Sequence, residues 1–239
     1  MSAALDVHPI RRGDPIPVRA GRAIGSFVCV DPGNDGAIVW SEWGPNARPE
    51  RMLVHAFGTG DGLAPWIRRH AEHLATSSTV LTEEALSIGG KKAKNKGGSA
   101  LHLALRSGLV AGSISLLVDA PVALVPPATW QTILGKDRVG KTEDGKRVSH
   151  TKARACALAE LVLQERYGMS LSRWSNKKRR EGVADALCFA MWRALVAHYA
   201  AVESPEGTQT WLDSLFSSLS WWSPPLPPRP KRTRRTTPK

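Results

Sequence analysis

Three acidic sites fall where acids are costly. Asp31 ends the run Phe27-Val28-Cys29-Val30-Asp31. Glu83 and Glu84 interrupt Val80-Leu81-Thr82-Glu83-Glu84-Ala85-Leu86. Asp185 lies inside Gly182-Val183-Ala184-Asp185-Ala186-Leu187-Cys188-Phe189-Ala190. A charge embedded in a core-forming element is unfavourable unless a partner or a metal neutralises it. Carboxylates held on strands and a helix suit hard divalent cations, which take oxygen ligands fixed in place. Two such ions about 3.5–4 Å apart activate a water for attack on a phosphodiester and stabilise the leaving oxygen. The order Asp, Glu, Asp fits that hydrolysis better than any nucleophile triad the chain offers.

Each position also admits a plainer reading. Asp31 can be a turn former. Adjacent strand residues point to opposite faces, so one of Glu83 and Glu84 turns away from any site. Asp185 can be a first-turn acid complementing the helix dipole. Glu181 lies one helical turn before Asp185 and can share its face, or it can simply pair with Arg179 and Arg180.

The elements that must carry these residues follow from the hydrophobic periods. The apolar run ending at Asp31 turns through Pro32-Gly33 and Asp35-Gly36 into a second apolar run, which predicts a β-hairpin with a carboxylate at its tip. Strands are predicted at 25–32, 36–43, about 51–57, 79–86 and 121–125. Helices are predicted at 62–74, 100–118, 129–134, 151–167 and about 182–199. Loops are expected at 89–99, rich in Gly and Lys, and at 135–150, polar and mostly basic. Three hairpin-linked strands followed by β-α alternation are what an RNase H-like fold requires, a mixed five-stranded sheet flanked by helices. At 239 residues one core is the default. Residues 1–24 are expected to form a mobile arm and 25–203 the folded domain. Residues 204–239 hold an amphipathic segment, with Trp211, Leu212, Leu215, Phe216, Leu219 and Trp222 at helical spacing, and a Pro-rich basic tail.

The formal net charge of +12 points to a polyanionic partner, with solubility alone as the bland alternative. Lys91, Lys92, Lys94 and Lys96 follow the Glu83 strand. Lys136, Arg138, Lys141, Lys146, Arg147, Lys152 and Arg154 form a second cluster. Arg173, Lys177, Lys178, Arg179 and Arg180 precede the Asp185 run. Cations beside a carboxylate site can follow phosphates without reading sequence. The tail, with Arg229, Lys231, Arg232, Arg234, Arg235 and Lys239 and no acid, reads as a further nucleic-acid-binding extension. Cys29, Cys156 and Cys188 sit in apolar runs without metal-ligand spacing, as small hydrophobes in a reducing compartment. No apolar run reaches the length of a membrane span, so a cytoplasmic protein without a membrane partner is expected.

The order Val-Asp-Pro-Gly-x-x-Gly-Ala, then Thr-Glu-Glu, then Val-Pro-Pro-Ala-Thr-Trp, then Ala-Asp-Ala-Leu resembles RuvC-like Holliday-junction resolvases, most closely those encoded by bacteriophages. The resemblance spans about residues 26–200. It implies a crossover junction endodeoxyribonuclease acting as a homodimer on four-way junctions, with two Mg²⁺ or Mn²⁺ ions per active site, in a bacterial or phage-infected cell. By motif position Asp31, Glu83 and Asp185 would be the metal-holding catalytic residues. The family places a further acid or a histidine three residues before the last aspartate. Here that offset falls on Gly182, and Glu181 is the nearest substitute. By the same resemblance helix 100–118 would contribute to a dimer interface, which ordinary core packing explains nearly as well.

Two other classes share parts of this pattern. Sugar-kinase and actin-type ATPases carry a similar hairpin that holds nucleotide phosphates, but the chain is short for two lobes and lacks a second Gly-rich phosphate hairpin. A non-catalytic basic DNA-binding module would show the charge without the chemistry. Within the nucleases, an RNA–DNA hybrid nuclease or a transposase would share the fold.

Overall fold

The computed structural model describes residues 7–9, 25–58, 62–84, 97–135, 139–141, 147–201 and 209–224; for 7–9, 97–104, 139–141 and 147–148 it describes the backbone alone. In chain order the strands and helices are β1 Val7–Pro9, β2 Ser26–Asp31, β3 Ala37–Gly44, β4 Arg48–Ala56, α1 Leu63–Arg69, α2 Ala71–Ala75, β5 Val80–Glu83 and α3 Gly97–Val118. They continue with β6 Val122–Val125, α4 Pro127–Trp130, β7 Val139–Lys141, β8 Arg147–Ser149, α5 Thr151–Tyr167, α6 Lys177–Ala201 and α7 Trp211–Phe216.

The main sheet has the order β1-β6-β5-β2-β3-β4. Strands β2, β3 and β4 form an antiparallel meander, whereas β5 and β6 run parallel to β2. This is the mixed, helix-flanked RNase H-like sheet expected from the sequence, and each of the five expected strands is present. The sheet gains a sixth strand, because Val7–Pro9 pairs in parallel with β6. Three residues inside a Pro- and Arg-containing stretch have no period to reveal them; the open edge of β6 supplies the pairing. The expected loop 135–150 likewise contains a two-stranded hairpin, β7 with β8.

Strand periodicity divides the core into two layers. Phe27, Cys29, Val39 and Leu81 face α5 and α6 in one cluster. Val28, Val30, Ile38 and Val80 face α1 and α3 in the other. Helix α5 occupies the span read from the sequence and ends on Gly168, whose positive φ of 60° closes the last turn. Helix α6 starts earlier than expected, at Lys177, so Asp185 lies in its third turn and cannot be a first-turn dipole acid. Segment 211–222 docks on its own domain, with Leu212 and Phe216 fully buried and Trp211, Leu215, Leu219 and Trp222 packed against the same cluster. Helix α7 opens with a capping box in which Thr210 and Asp213 satisfy each other's backbone. Among the described residues no helix is long and apolar enough to cross a membrane, and the three cysteines are free.

Candidate active site

The parity that sorts the core also sorts the acids. Asp31 follows Phe27 and Cys29 onto the α5/α6 face of β2, and Glu83 follows Leu81 onto the same face of neighbouring β5. Both stand at the C-terminal ends of parallel strands, where open α/β sheets gather their functional groups. Glu84 takes the opposite parity, with its backbone N–H bonded to the Val125 carbonyl at 2.9 Å. Helix α6 crosses this face and brings Asp185 to the same place.

The hairpin tip is built tightly around Asp31. Its Oδ1 accepts the Gly33 N–H at 3.0 Å, and the Gly36 N–H closes the turn on the Gly33 carbonyl at 3.0 Å. A Cβ on Gly36 would overlap the Asp31 carbonyl oxygen, so only glycine fits there. A Cβ on Gly182 would overlap the Asp35 carbonyl oxygen. Gly182 is therefore the point at which α6 seats against the tip, and a ligand side chain at that position has no room.

Lys152, on the first turn of α5, forms an ion pair with Asp185 Oδ2. Its sequence neighbours predict a DNA-contacting cation; in the structure it is held by a carboxylate of the acid cluster. Its charge is felt by Asp31 and Glu181 as well. Burial acts to lower the Lys152 pKa, but these three acids outweigh it and hold the ammonium above its ordinary value. Glu181 thus lies within electrostatic reach of Lys152 and Asp185, on the face proposed for it.

The acids are held protonated more readily than free carboxylates. Glu83 is pushed up to about 7, first by burial and then by the charge of Asp31, against the Trp130 hydrogen bond. Asp185 rises to about 6 through burial, with Lys152 opposing and Asp31 and Glu181 adding to the rise. Burial also raises Asp31, offset in part by the Gly33 N–H, Lys152 and Arg106. One lysine does not balance this much buried negative charge, and Asp185 Oδ1 is buried without a hydrogen-bond partner. An all-oxygen, under-neutralised donor set of this kind fits a hard divalent cation in its chemistry. In its geometry the cluster is not closed up for one: among the described residues no three His, Cys, Asp or Glu side chains are grouped so as to hold a metal ion.

Two neighbours complete the site. Trp130, on α4 directly after β6, donates its Nε1–H to Glu83 Oε1 at 3.2 Å, and its ring stacks on Phe189 at 5.9 Å. Phe189 is one helical turn beyond Asp185, so one indole fixes Glu83 against α6. Its only signal in the sequence is the Val-Pro-Pro-Ala-Thr-Trp stretch that it ends. Arg106, on α3, donates to Asn34 Oδ1 at 3.1 Å and lies 4.4 Å over the Phe57 ring, placing a cation behind the hairpin tip. An isolated arginine in an apolar helix gave no sequence signal.

The expected basic residues fall in different settings. Lys177 and Lys178 are exposed on the first turn of α6, roughly 10–12 Å along the axis from Asp185 at 1.5 Å per residue. Arg179 is committed elsewhere, donating to the Gly58 carbonyl, and Arg180 is half-buried. Lys91, Lys92, Lys94 and Lys96 lie outside the described residues, as does the basic tail; Lys141 is described by its backbone alone, in β7. His150 is exposed just before α5, and Trp174 packs against the core.

No protein-family model matches the chain, and no curated protein matches it. Among solved structures the fold is similar to RuvC of Thermus thermophilus. The structure described as RuvC in complex with Holliday junction substrate shares 17% sequence identity and a TM-score of 0.31, over 74% of this chain and 94% of that one. A second Thermus thermophilus RuvC structure shares 18% identity with the same TM-score, over 73% of this chain and 95% of that one.

Proposed function

We propose that the chain is a metal-dependent, structure-selective endonuclease that nicks four-way and other branched DNA. What supports the reading is that Asp31, Glu83 and Asp185, from β2, β5 and α6, lie within electrostatic reach of one another and of Lys152. Asp31, Glu83 and Asp185 would hold the divalent ions, Mg²⁺ or Mn²⁺, with Glu181 as the nearest further carboxylate. Such ions supply an activated water on one side of a phosphodiester and charge stabilisation of the leaving oxygen on the other.

The chain's own groups set the conditions for that chemistry. The Gly33 N–H and the tight tip fix Asp31, and Trp130 fixes Glu83, so neither carboxylate must search for its position. Lys152 neutralises Asp185 within the resting cluster. Were Asp185 to hold an ion, Lys152 would be the cation beside the site for a DNA phosphate. Lys177 and Lys178 extend the cationic path along α6, and contacts of that sort bind backbone without reading bases. A phosphate-cradling ATPase loop is a poorer fit, since the hairpin amides of Gly33 and Gly36 are already taken by Asp31 and Gly33.

Action on a two-fold junction calls for two copies of the site, and α3 offers a surface for pairing. Leu105, Leu109, Leu116 and Leu117 form a stripe on its outer face and are 54–71% exposed. We read this stripe as the contact with a second copy.

The deciding experiment is cleavage of a labelled four-way junction beside linear duplex and RNA–DNA hybrid, with Mg²⁺, Mn²⁺ or EDTA. Paired nicks confined to the junction and dependent on metal are expected. Junction binding without cleavage under every metal would leave a DNA-binding module; hybrid cleavage would move the chain to another nuclease class. Stabilisation by ATP alone would favour the phosphate-binding class.

A further inference from the structure

Strand β4 is an outer edge of the sheet, and among the described residues it pairs with β3 alone. Phe57 N–H donates to the Gly36 carbonyl at 2.9 Å, which makes 36 and 57 a hydrogen-bonded pair. Antiparallel pairs alternate, so 38 with 55 and 40 with 53 are hydrogen-bonded pairs too, whereas Met52 opposite Ser41 and Val54 opposite Val39 are not. The N–H and C=O of Met52 and Val54 therefore point outward, away from β3.

That edge is not flush with the surface. It forms the floor of a cleft of about 420 Å³ with one wall from each helical layer. Trp66, Arg69 and His70 line one side, and Tyr167, Arg173 and Trp174 the other. The Tyr167 hydroxyl is buried without a hydrogen-bond partner. Bare edges invite pairing with another chain, and natural proteins blunt them with charge, bulges or a cover. Here the strand edge lies between aromatic walls, the shape that β-strand addition uses: main-chain bonds for affinity and side pockets for alternate residues.

We propose that this cleft takes an extended peptide of a partner protein, acidic and β-branched in alternation, as an additional strand on β4. The charges select the sign. Arg69 and Arg173 line the cleft, and among the described residues no carboxylate does. The chain's own terminal stretches are excluded on the same ground, since 10–24 carries four arginines against one aspartate and 225–239 carries only cations. A second copy of β4 would bring Arg48 and Arg51 toward the same arginines. Nucleic acid matches the charge but not the alternating N–H and C=O of the edge.

The test is titration of a fluorescein-labelled, end-capped octapeptide of alternating glutamate and valine, with fluorescence anisotropy as the readout. Saturable binding below about 1 mM is expected. The same peptide with lysine for glutamate, or with alternate amides N-methylated, should bind at least about tenfold more weakly. Val54→Pro removes one outward N–H while sparing the bonds to β3, because proline is tolerated on edge strands. It should abolish binding with little change in Tm. Arg173→Glu, at an exposed position, should weaken binding about tenfold and restore part of the affinity of the lysine peptide. No binding by about 1 mM, or equal binding by the N-methylated peptide or by the Val54→Pro protein, overturns the proposal. Displacement of the peptide by a single-stranded oligonucleotide would assign the cleft to nucleic acid. A fall in sedimentation mass on Val54→Pro would assign the edge to self-association.

Discussion

The two faces of the sheet are covered by helices of similar length and opposite character. Helix α6 is buried along most of its 25 residues, and its small residues, Gly182, Ala184, Ala186 and Ala190, let it lie close against β2 and β3. Helix α3, of 22 residues, buries Val110, Ala111, Ile114 and Val118 on one side and leaves a leucine stripe outside. A helix buried along most of its length holds a charged group to a fixed position, which metal chemistry needs. A half-enclosed one keeps apolar surface for another molecule. The three candidate acids sit on the first face; on the second, Thr82 and Ser107 form a buried neutral pair, 2.8 Å apart.

The sharpest way to break this division is at the acids. Asp31→Asn and Asp185→Asn keep shape while removing charge. Each should reduce junction cleavage by at least roughly 10²–10³-fold, the scale of losing one preorganised electrostatic contact, with junction binding retained in gel-shift assays. Retained cleavage would remove the α5/α6 face from the chemistry. On the other face, Leu109→Glu with Leu116→Glu should shift sedimentation mass from two copies to one without lowering the monomer's Tm. Both leucines are already about 70% exposed (71% and 69%), so the fold does not depend on their burial.

Gly182→Ala tests the close approach itself. The added methyl must push α6 off the Asp35 carbonyl, at about 1–3 kcal/mol for overpacking. A lower Tm together with reduced cleavage is expected, because the displacement moves Asp185 relative to Asp31. The equivalent change at Gly108 on α3, where a Cβ meets nothing within 4 Å, should leave Tm unchanged or raise it.

Protonation separates the faces in another way. A glutamate at about 7 in the fold keeps its proton over a range in which the unfolded chain has given it up. The folded state then binds more protons, so stability in EDTA is greatest near and below the ordinary glutamate range and declines as pH rises toward about 7. Melting curves from pH 5 to 8 should show that decline, and Glu83→Gln should flatten it. Because protons and divalent ions compete for the same oxygens, Mg²⁺ should raise Tm more at pH 8 than at pH 6.

Much of this was legible in the residues. Apolar runs bounded by turn residues marked the strands, alternation marked the one near 51–57, and longer runs between basic and turn segments marked α5 and most of α6. An acid inside an apolar run marked Asp31, Glu83 and Asp185, because burial is what makes such acids anomalous. What stayed hidden depended on approach in space. Gly182 looked like a missing ligand, and only the seated helix shows that the Asp35 carbonyl occupies the room a side chain would need. Lys152 looked like one cation among seven; its pairing with Asp185 depends on how α5 and α6 cross. The β1 and β7–β8 pairings use three-residue strands, too short for any period to declare itself.

The smallest effect discriminates most finely between the faces. Trp130→Phe removes the N–H donated to Glu83 and keeps an aromatic ring to stack on Phe189. A hydrogen bond is worth about 0.5–1.5 kcal/mol net, and somewhat more to a charged acceptor. Cleavage should fall about 2–10-fold, and because the bond favours ionised Glu83, the acidic limb of the pH–rate profile should move to higher pH. Thr82→Val with Ser107→Ala deletes a hydrogen bond of comparable length one residue away on β5, but directed at α3. It should lower Tm by a similar free energy and leave both the rate and its pH dependence unchanged. If the two substitutions altered cleavage alike, the site would be responding to the stability of β5 as a whole, and the indole would have no separate part in setting Glu83.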